Sequence, residues 1–380
     1  MGSLIEREFS YRLIKAVMNI PEEELLRRLS FLKDAELLYE RGLFPDSTFI
    51  FKHALTREVV YDTLLEKRKK ELHLDIGKAI EKVYKDNLEE MYSTLAEHFE
   101  KGGDYEKAAT HFNLAQARAL SKSANLDAIA FSRKEVACLE KLPITVEMQK
   151  RVIDARVTLA NNCMMIIHYV EAKDAVAPII GLVRELDYHQ HLPAIYIIMA
   201  GYLSQVEERP EDSETRRYLI EAQKLALEEK NYRALGGAFN QEGISHSCNC
   251  EFVDGESCFL RLLELSEASG VLIGRVMARS NLAALIYALD GRIDKALKCG
   301  QEALDLALQA DDVYLKGAAY WACGIAFFRK GLFPETEKNL TLTIEMSEAP
   351  PAERVASGSP PRGGLGLGKV PQDLLIIFQN

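Results

Sequence analysis

From about residue 89 to residue 346 apolar positions recur every three or four residues, the period of amphipathic helices. The clearest stretch is residues 92–120, YSTLAEHFEKGGDYEKAATHFNLAQARAL. Leu95, Ala96 and Phe99 fall on one face of a first helix, Gly102-Gly103 interrupts it, and Ala108, Phe112 and Ala115 fall on one face of a second. Small residues at Ala96 and Ala108 let two antiparallel helices approach closely, while the two Phe rings fill the seam. A single hairpin of this kind cannot bury its apolar face alone, so the pattern predicts neighbours.

Those neighbours recur along the chain. One position near the start of each second helix marks the unit: Ala108, Ala128, Ala172, Arg216, Ser257, Ala296 and Thr336, small everywhere except at Arg216. After Ala128 the intervals are 44, 44, 41, 39 and 40 residues. The residue spacing is that of tetratricopeptide repeats, whose standard length is about 34 residues, but the period is nearer the roughly 40–47 of longer helical repeats. In NLAALIYALDGRIDKALKCGQEALDLA (281–307), Ala284, Tyr287, Ala296 and Ala303 reproduce the placing of Ala96, Phe99, Ala108 and Ala115. In YWACGIAFFRKGLFPETEKNL (320–340), Gly324, Phe327, Thr336 and Leu340 do the same for Ala96, Phe99, Ala108 and Phe112. The expected fold is mainly all-α, a right-handed α-α superhelix of tetratricopeptide-like hairpins over residues 86–346.

Residues 1–85 follow a different pattern. Residues 10–18 read as a short amphipathic helix. Pro21 and the acids Glu22, Glu23 and Glu24 read as a helix start, and Leu25, Leu26, Leu29, Leu32, Ala35 and Leu38 as a stripe through two adjoining helices. The period then changes: residues 37–39 and 48–51 read as two short strands around a turn at Gly42 and Pro45. Helices followed by a small β-hairpin suggest a winged-helix domain. A helical period resumes at His53 and runs to the repeats. After Glu348 the composition becomes rich in Pro, Gly and Ser, so residues 347–380 are expected to be a disordered tail.

Three runs, IEREFSYRLIKAV (5–17), LLRRLSFLKDAELLYERG (25–42) and FIFKHALTREVVYDTLLEKRKKELH (49–73), resemble one block of the bacterial signal-transduction ATPases of the STAND type. Within that family the likeness is to the group whose ATPase is often fused behind a class III adenylate or guanylate cyclase. The 51–65 run is its most specific part, and the likeness covers roughly residues 4–345. It departs at Glu6, where the family usually has Gly. The resemblance implies a winged helix packed on a nucleotide-binding domain and followed by a tetratricopeptide-like array. It also implies that the Walker loops and the cyclase lie upstream, so that this chain corresponds to the C-terminal half, as a truncated or split gene product.

Composition narrows the chemistry. A net charge of −10 provides no global attraction to nucleic acid or anionic lipid, and no apolar run approaches the roughly 18 residues of a membrane span. The acidic N-terminus lacks the basic region of a secretory signal, and seven cysteines suit reduced thiols in the cytoplasm. The run at 363–369 fits G-x-x-x-x-G-K, yet Val370 stands where a phosphate loop needs Ser or Thr. His246, Cys248, Cys250 and Cys258 depart from the paired spacing of structural zinc, so a loop plus a buried thiol accounts for them and no metal is assigned. The basic run at 67–70 could touch phosphates, but the candidate recognition helix at residues 30–42 carries Asp34, Glu36 and Glu40, which would repel DNA. Eight scattered histidines form no catalytic motif.

No catalytic, cofactor or metal residue is therefore expected. The expected role is a non-catalytic protein–protein interaction and signal-transduction module. A protein or peptide partner would lie on the concave face of the array, at Asn161, Asn162, Asn240, Gln241, Asn281 and Trp321. Two alternatives remain: a DNA-binding regulator using the winged helix, and a fragment acting with a separately supplied ATPase or cyclase.

Overall fold

The computed structural model describes residues 2–5, 8–18, 20–207, 213–310 and 312–348. The Pro/Gly-rich segment from 349 onward, with the 363–369 run, lies outside these residues. The chain divides into two compact units, residues 1–118 with 130–155 and residues 119–129 with 156–380.

The first unit opens with α1 (Gly2–Ile5), β1 (Glu8–Ser10), α2 (Tyr11–Met18) and α3 (Glu22–Asp34), then β2 (Leu38–Arg41), β3 (Thr48–Phe51), α4 (Ala54–Asp62) and α5 (Glu66–Val83). The sheet is antiparallel with order β1-β3-β2, so the expected two-stranded hairpin gains a third strand. Phe9 pairs with Phe49 and Leu38 with Phe51. Period-two burial explains why these strands hold: Phe9, Leu38, Phe49 and Phe51 turn to the core, and Phe9 stacks on Phe49 at 5.9 Å.

Two helical expectations need correcting here. The stripe through Leu32, Ala35 and Leu38 is not two helices, because α3 ends at Asp34, Glu36 takes a left-handed φ of 54°, and Leu38 is already a strand residue. The segment 30–42 is therefore the end of α3 plus β2, not a recognition helix. Likewise the helical run from His53 breaks between Asp62 and Glu66.

The helices that follow are α6 (Tyr92–Gly102), α7 (Tyr105–Ser121), α8 (Asn125–Leu139), α9 (Val146–Met165), α10 (Tyr169–Val176), α11 (Ile180–Glu185), α12 (Leu192–Gln205) and α13 (Ser213–Glu228). Then come α14 (Tyr232–Cys248), α15 (Phe252–Ser269), α16 (Leu272–Asn281), α17 (Ile293–Ala310), α18 (Val313–Lys330) and α19 (Phe333–Glu348). The chain is thus mainly helical, built from tetratricopeptide-like helical hairpins. The break between α6 and α7 uses Gly103 at φ 87°, whose N–H bonds Glu100 while Asp104 N–H bonds Phe99, a Schellman-type stop.

The seam of the second helices follows a single rule. In α7, Ala108, Phe112, Ala115 and Ala119 are buried, at spacings of four, three and four residues. The same four positions are buried in α8 (Ala128, Ser132, Glu135, Leu139), in α10–α11 (Ala172, Val176, Ile179, Val183) and in α17 (Ala296, Gly300, Ala303, Ala307). They recur in α13 as Thr215, Leu219, Ala222 and Ala226, and in α15 as Gly255, Phe259, Leu262 and Ser266. The marker positions expected at Arg216 and Ser257 are exposed, so the register there moves back by one and by two residues. In α19 Thr336 holds the first position. A small residue at the first seam position of every one of these helices lets facing helices close on each other, and each fully buried Phe contributes about 1.5–3 kcal/mol of transfer free energy.

Candidate interaction surfaces

In the second unit the six expected contact residues fall on the first helices α9, α14, α16 and α18, but they do not share one environment. Gln241 is 3% exposed and its Nε2 donates to Ser204 Oγ on α12 at 3.2 Å. Ser204 Oγ in turn donates to the Gly201 carbonyl. A Cβ at Gly201 would lie 3.3 Å from Gln241 Oε1, so the glycine is what lets that amide lie against α12. Asn281 is 4% exposed and its Nδ2 donates to Asn240 Oδ1 at 2.8 Å. Asn162 is buried as well. Asn161 is exposed, whereas Asn240 and Trp321 are half-buried, Trp321 packing against Ala283, Ala284 and Ala322. The buried amides thus stitch neighbouring first helices together, leaving Asn161, Asn240 and Trp321 to reach solvent. Directly after Asn281 the backbone widens into one π-helical turn, Leu282–Tyr287, with Ala288 N–H bonding the Ala283 carbonyl.

In the first unit α4 carries an apolar set in solvent. Leu55 is 69% exposed, Val59 55% and Val60 44%, and Leu65 beyond its end is 79% exposed. Two of the three acids expected to repel DNA are engaged, Glu36 with Lys52 and Glu40 with Lys33. In the basic run Lys69 binds Glu66 at 2.8 Å and lies 4.6 Å over the Tyr61 ring, and Arg68 binds Glu71 at 2.9 Å.

Two buried histidines join α4, α5, α6 and residue 5. His73 Nδ1 lies 2.9 Å from His98 Nδ1, the Tyr61 hydroxyl 3.4 Å from His73 Nε2, and His98 also bonds the Ile5 backbone. One assignment satisfies every contact: Tyr61 donates to His73 Nε2, His73 Nδ1–H donates to His98 Nδ1, and His98 Nε2–H donates to the Ile5 carbonyl. Burial holds both rings neutral, His73 down at about 4 and His98 at about 3. His111 stacks flat on Phe99 at 5.6 Å. These are seam histidines. Glu135, in the seam of α8, accepts from Asn113 Nδ2 at 3.1 Å, and desolvation raises its carboxyl to about 7.

Residues able to hold a metal gather at the α14–α15 hairpin, as Glu242, His246 and Cys258 and as His246, Glu251 and Asp254. Cys248 and Cys250, half of the set considered from sequence, are exposed and belong to neither group. Burial and the neighbouring Glu242 push the Cys258 thiol well above its ordinary range. Among the described residues no helix is long and apolar enough to cross a membrane.

The chain matches no protein-family model and no curated protein sequence. It is similar in structure to RapI in its apo form, at 11% identity and TM-score 0.51, over 80% of each chain. It is also similar to a Rap protein complexed with Competence and Sporulation Factor, at 15% identity and TM-score 0.51, over 93% of this chain and 98% of that one. A STAND protein with a tetratricopeptide repeat sensor from Pyrococcus horikoshii aligns at 16% identity and TM-score 0.48 over 94% of this chain. The present chain spans about half, 51%, of that protein's length. At these identities the two Rap structures establish the helical-repeat fold alone.

Proposed function

We propose that this chain is a non-catalytic interaction and signal-transduction module, the regulatory and sensor half of a STAND ATPase linked to a nucleotide cyclase. Residues 1–85 act as a winged helix that docks on a nucleotide-binding domain. Residues 86–346 take a protein or peptide partner through the first-helix face around Asn161, Asn240 and Trp321. The observation that carries this reading is the exposed apolar face of α4, since three aliphatic side chains in one short helix need a covering surface. That helix lies in the 51–65 run, the part of the sequence most specific to the STAND resemblance. The β1-β3-β2 order beside α2 and α3 supports the winged-helix assignment. The Rap protein solved with Competence and Sporulation Factor supports signal capture by a fold of this kind. The pairing of Lys69 and Arg68 with acids weakens the DNA-binding alternative.

The test has two parts. The reading frame immediately upstream should encode a Walker A loop, and the nucleotide-binding domain from it should co-elute with this chain. Val59→Asp with Val60→Asp should abolish co-elution without unfolding the protein. An upstream frame without such a domain, or association indifferent to the α4 substitutions, refutes the reading.

A further inference from the structure

The α14–α15 hairpin carries a constellation that partner recognition does not require. Glu242 and His246 are four residues apart on α14 and so share a face, and Cys258 faces them from α15. A carboxylate oxygen, a ring nitrogen and Sγ of these three lie within 4.8 Å of one another. Sγ and Glu242 Oε2 are 3.4 Å apart. Bonds of about 2.0–2.3 Å in a tetrahedral zinc site would space oxygen and sulfur at about 3.6 Å, so that pair already stands at ligand spacing.

The surroundings are those of a metal centre. Glu251 sits 2.5 Å from His246 Nδ1, which fixes the ring and leaves Nε2 with a lone pair, the carboxylate–histidine pairing found behind metal ligands. Gln223 Nε2 donates to Glu242 Oε2 at 2.8 Å and orients the carboxylate. A cavity of about 340 Å³, bordered by Ser245, Asp254 and Arg216 as well as Glu242 and His246, gives solvent a way in and leaves room for a fourth ligand. A thiol–carboxylate hydrogen bond explains Cys258 and Glu242 by themselves. It leaves unexplained a histidine held by its own carboxylate within reach of both.

The geometry points to a three-ligand transition-metal site, with Glu242, His246 and Cys258 binding Zn²⁺ or a like divalent ion, Glu251 positioning His246, and the fourth coordination place open to the cavity. The donor set favours zinc or cobalt over magnesium or calcium, which want all-oxygen shells. Bridging α14 to α15, the ion would lock one hairpin of the repeat array.

The test uses Co²⁺ as a spectroscopic probe on the full chain. One equivalent should bind, giving tetrahedral visible bands and a thiolate charge-transfer band, and Zn²⁺ should displace it. The double variant Cys248→Ser/Cys250→Ser should keep both signals. His246→Ala and Glu242→Gln should each weaken affinity at least tenfold, and Cys258→Ser should remove the thiolate band. Glu251→Gln should weaken affinity about 10–100-fold while keeping the band, as a positioning carboxylate does. Absence of one-to-one binding, a spectrum without the thiolate band, or binding that survives His246→Ala overturns the assignment. Because Glu242→Gln changes one atom of a half-buried side chain at constant shape, its folded state by circular dichroism separates lost ligation from lost structure.

Discussion

Two glycines of α14, six residues apart, should respond to the same substitution with opposite signs. A Cβ on Gly243 would fall 2.7, 2.8 and 2.9 Å from three ring atoms of Phe259. That ring is fully buried and packed among Leu282, Ile286, Tyr287, Ala288, Ala296 and Ala326, so it has nowhere to go. Overpacking of this kind costs about 1–3 kcal/mol, and three contacts inside 3.0 Å place it near the top of that range. Alanine in a helix interior recovers about 1 kcal/mol over glycine, so Gly243→Ala should destabilise by about 2 kcal/mol. A Cβ on Gly237 meets only Ile197 Cδ1, at an ordinary 3.5 Å. Gly237→Ala should therefore keep the helix gain and stabilise by about 1 kcal/mol.

Thermal melts followed by far-ultraviolet circular dichroism separate the two. For a unit of this size Gly243→Ala should lower the midpoint by about 4–8 °C and Gly237→Ala raise it by about 2–4 °C. Adding Phe259→Leu to Gly243→Ala should make the pair less harmful than the sum of the singles, since the smaller side chain removes the clash. A Gly243→Ala protein melting at or above the parent, or shifts of the same sign at both sites, would refute the close α14–α15 approach. The metal constellation depends on that same approach.

Three further outcomes follow from the first unit. Glu135 ionises near 4.5 in the unfolded chain but near 7 when folded, so its burial costs stability as pH rises through that window. Glu135→Gln keeps an acceptor for Asn113 and should be more stable than the parent at pH 8, by about 3 kcal/mol, with no advantage below pH 4.5; an equal difference at both pH values would sink this. His73 and His98 have folded values depressed from 6.5, so stability should fall as pH drops below 6.5 and the unfolded chain takes up protons first. Their NMR resonances should stay flat from pH 8 to 5, and a midpoint near 6.5 for either ring would disprove the buried chain of hydrogen bonds. Leu55→Ser with Val59→Ser should leave the melt within the equivalent of about 0.5 kcal/mol because both side chains lie in solvent. A large loss of stability would place that face inside the fold.

The repeat fold was readable because one hairpin, Tyr92 to Leu120, states its rule completely: small residues where helices cross, rings between them, a glycine at the break. The rule was misplaced only where the sequence offers a weaker signal. At Arg216 and Ser257 spacing alone chose the position, while burial chose Thr215 and Gly255, residues whose small side chains fit the seam just as Ala108 does. Strand β1 went unread because three residues carry no period of their own; Glu8–Ser10 extend because β3, some forty residues on, gives their backbone partners. The sites were harder still, for the same reason. Whether Asn281 meets solvent or Asn240, and whether His246 meets Cys250 or Glu251, depends on how far two helices stand apart and how each is turned. A glycine against Phe259 and a π turn after Asn281 set those quantities here. Helical period specifies which face of a helix is buried. It leaves open which side chain of the next helix arrives there, and the polar chemistry of this chain depends on those arrivals.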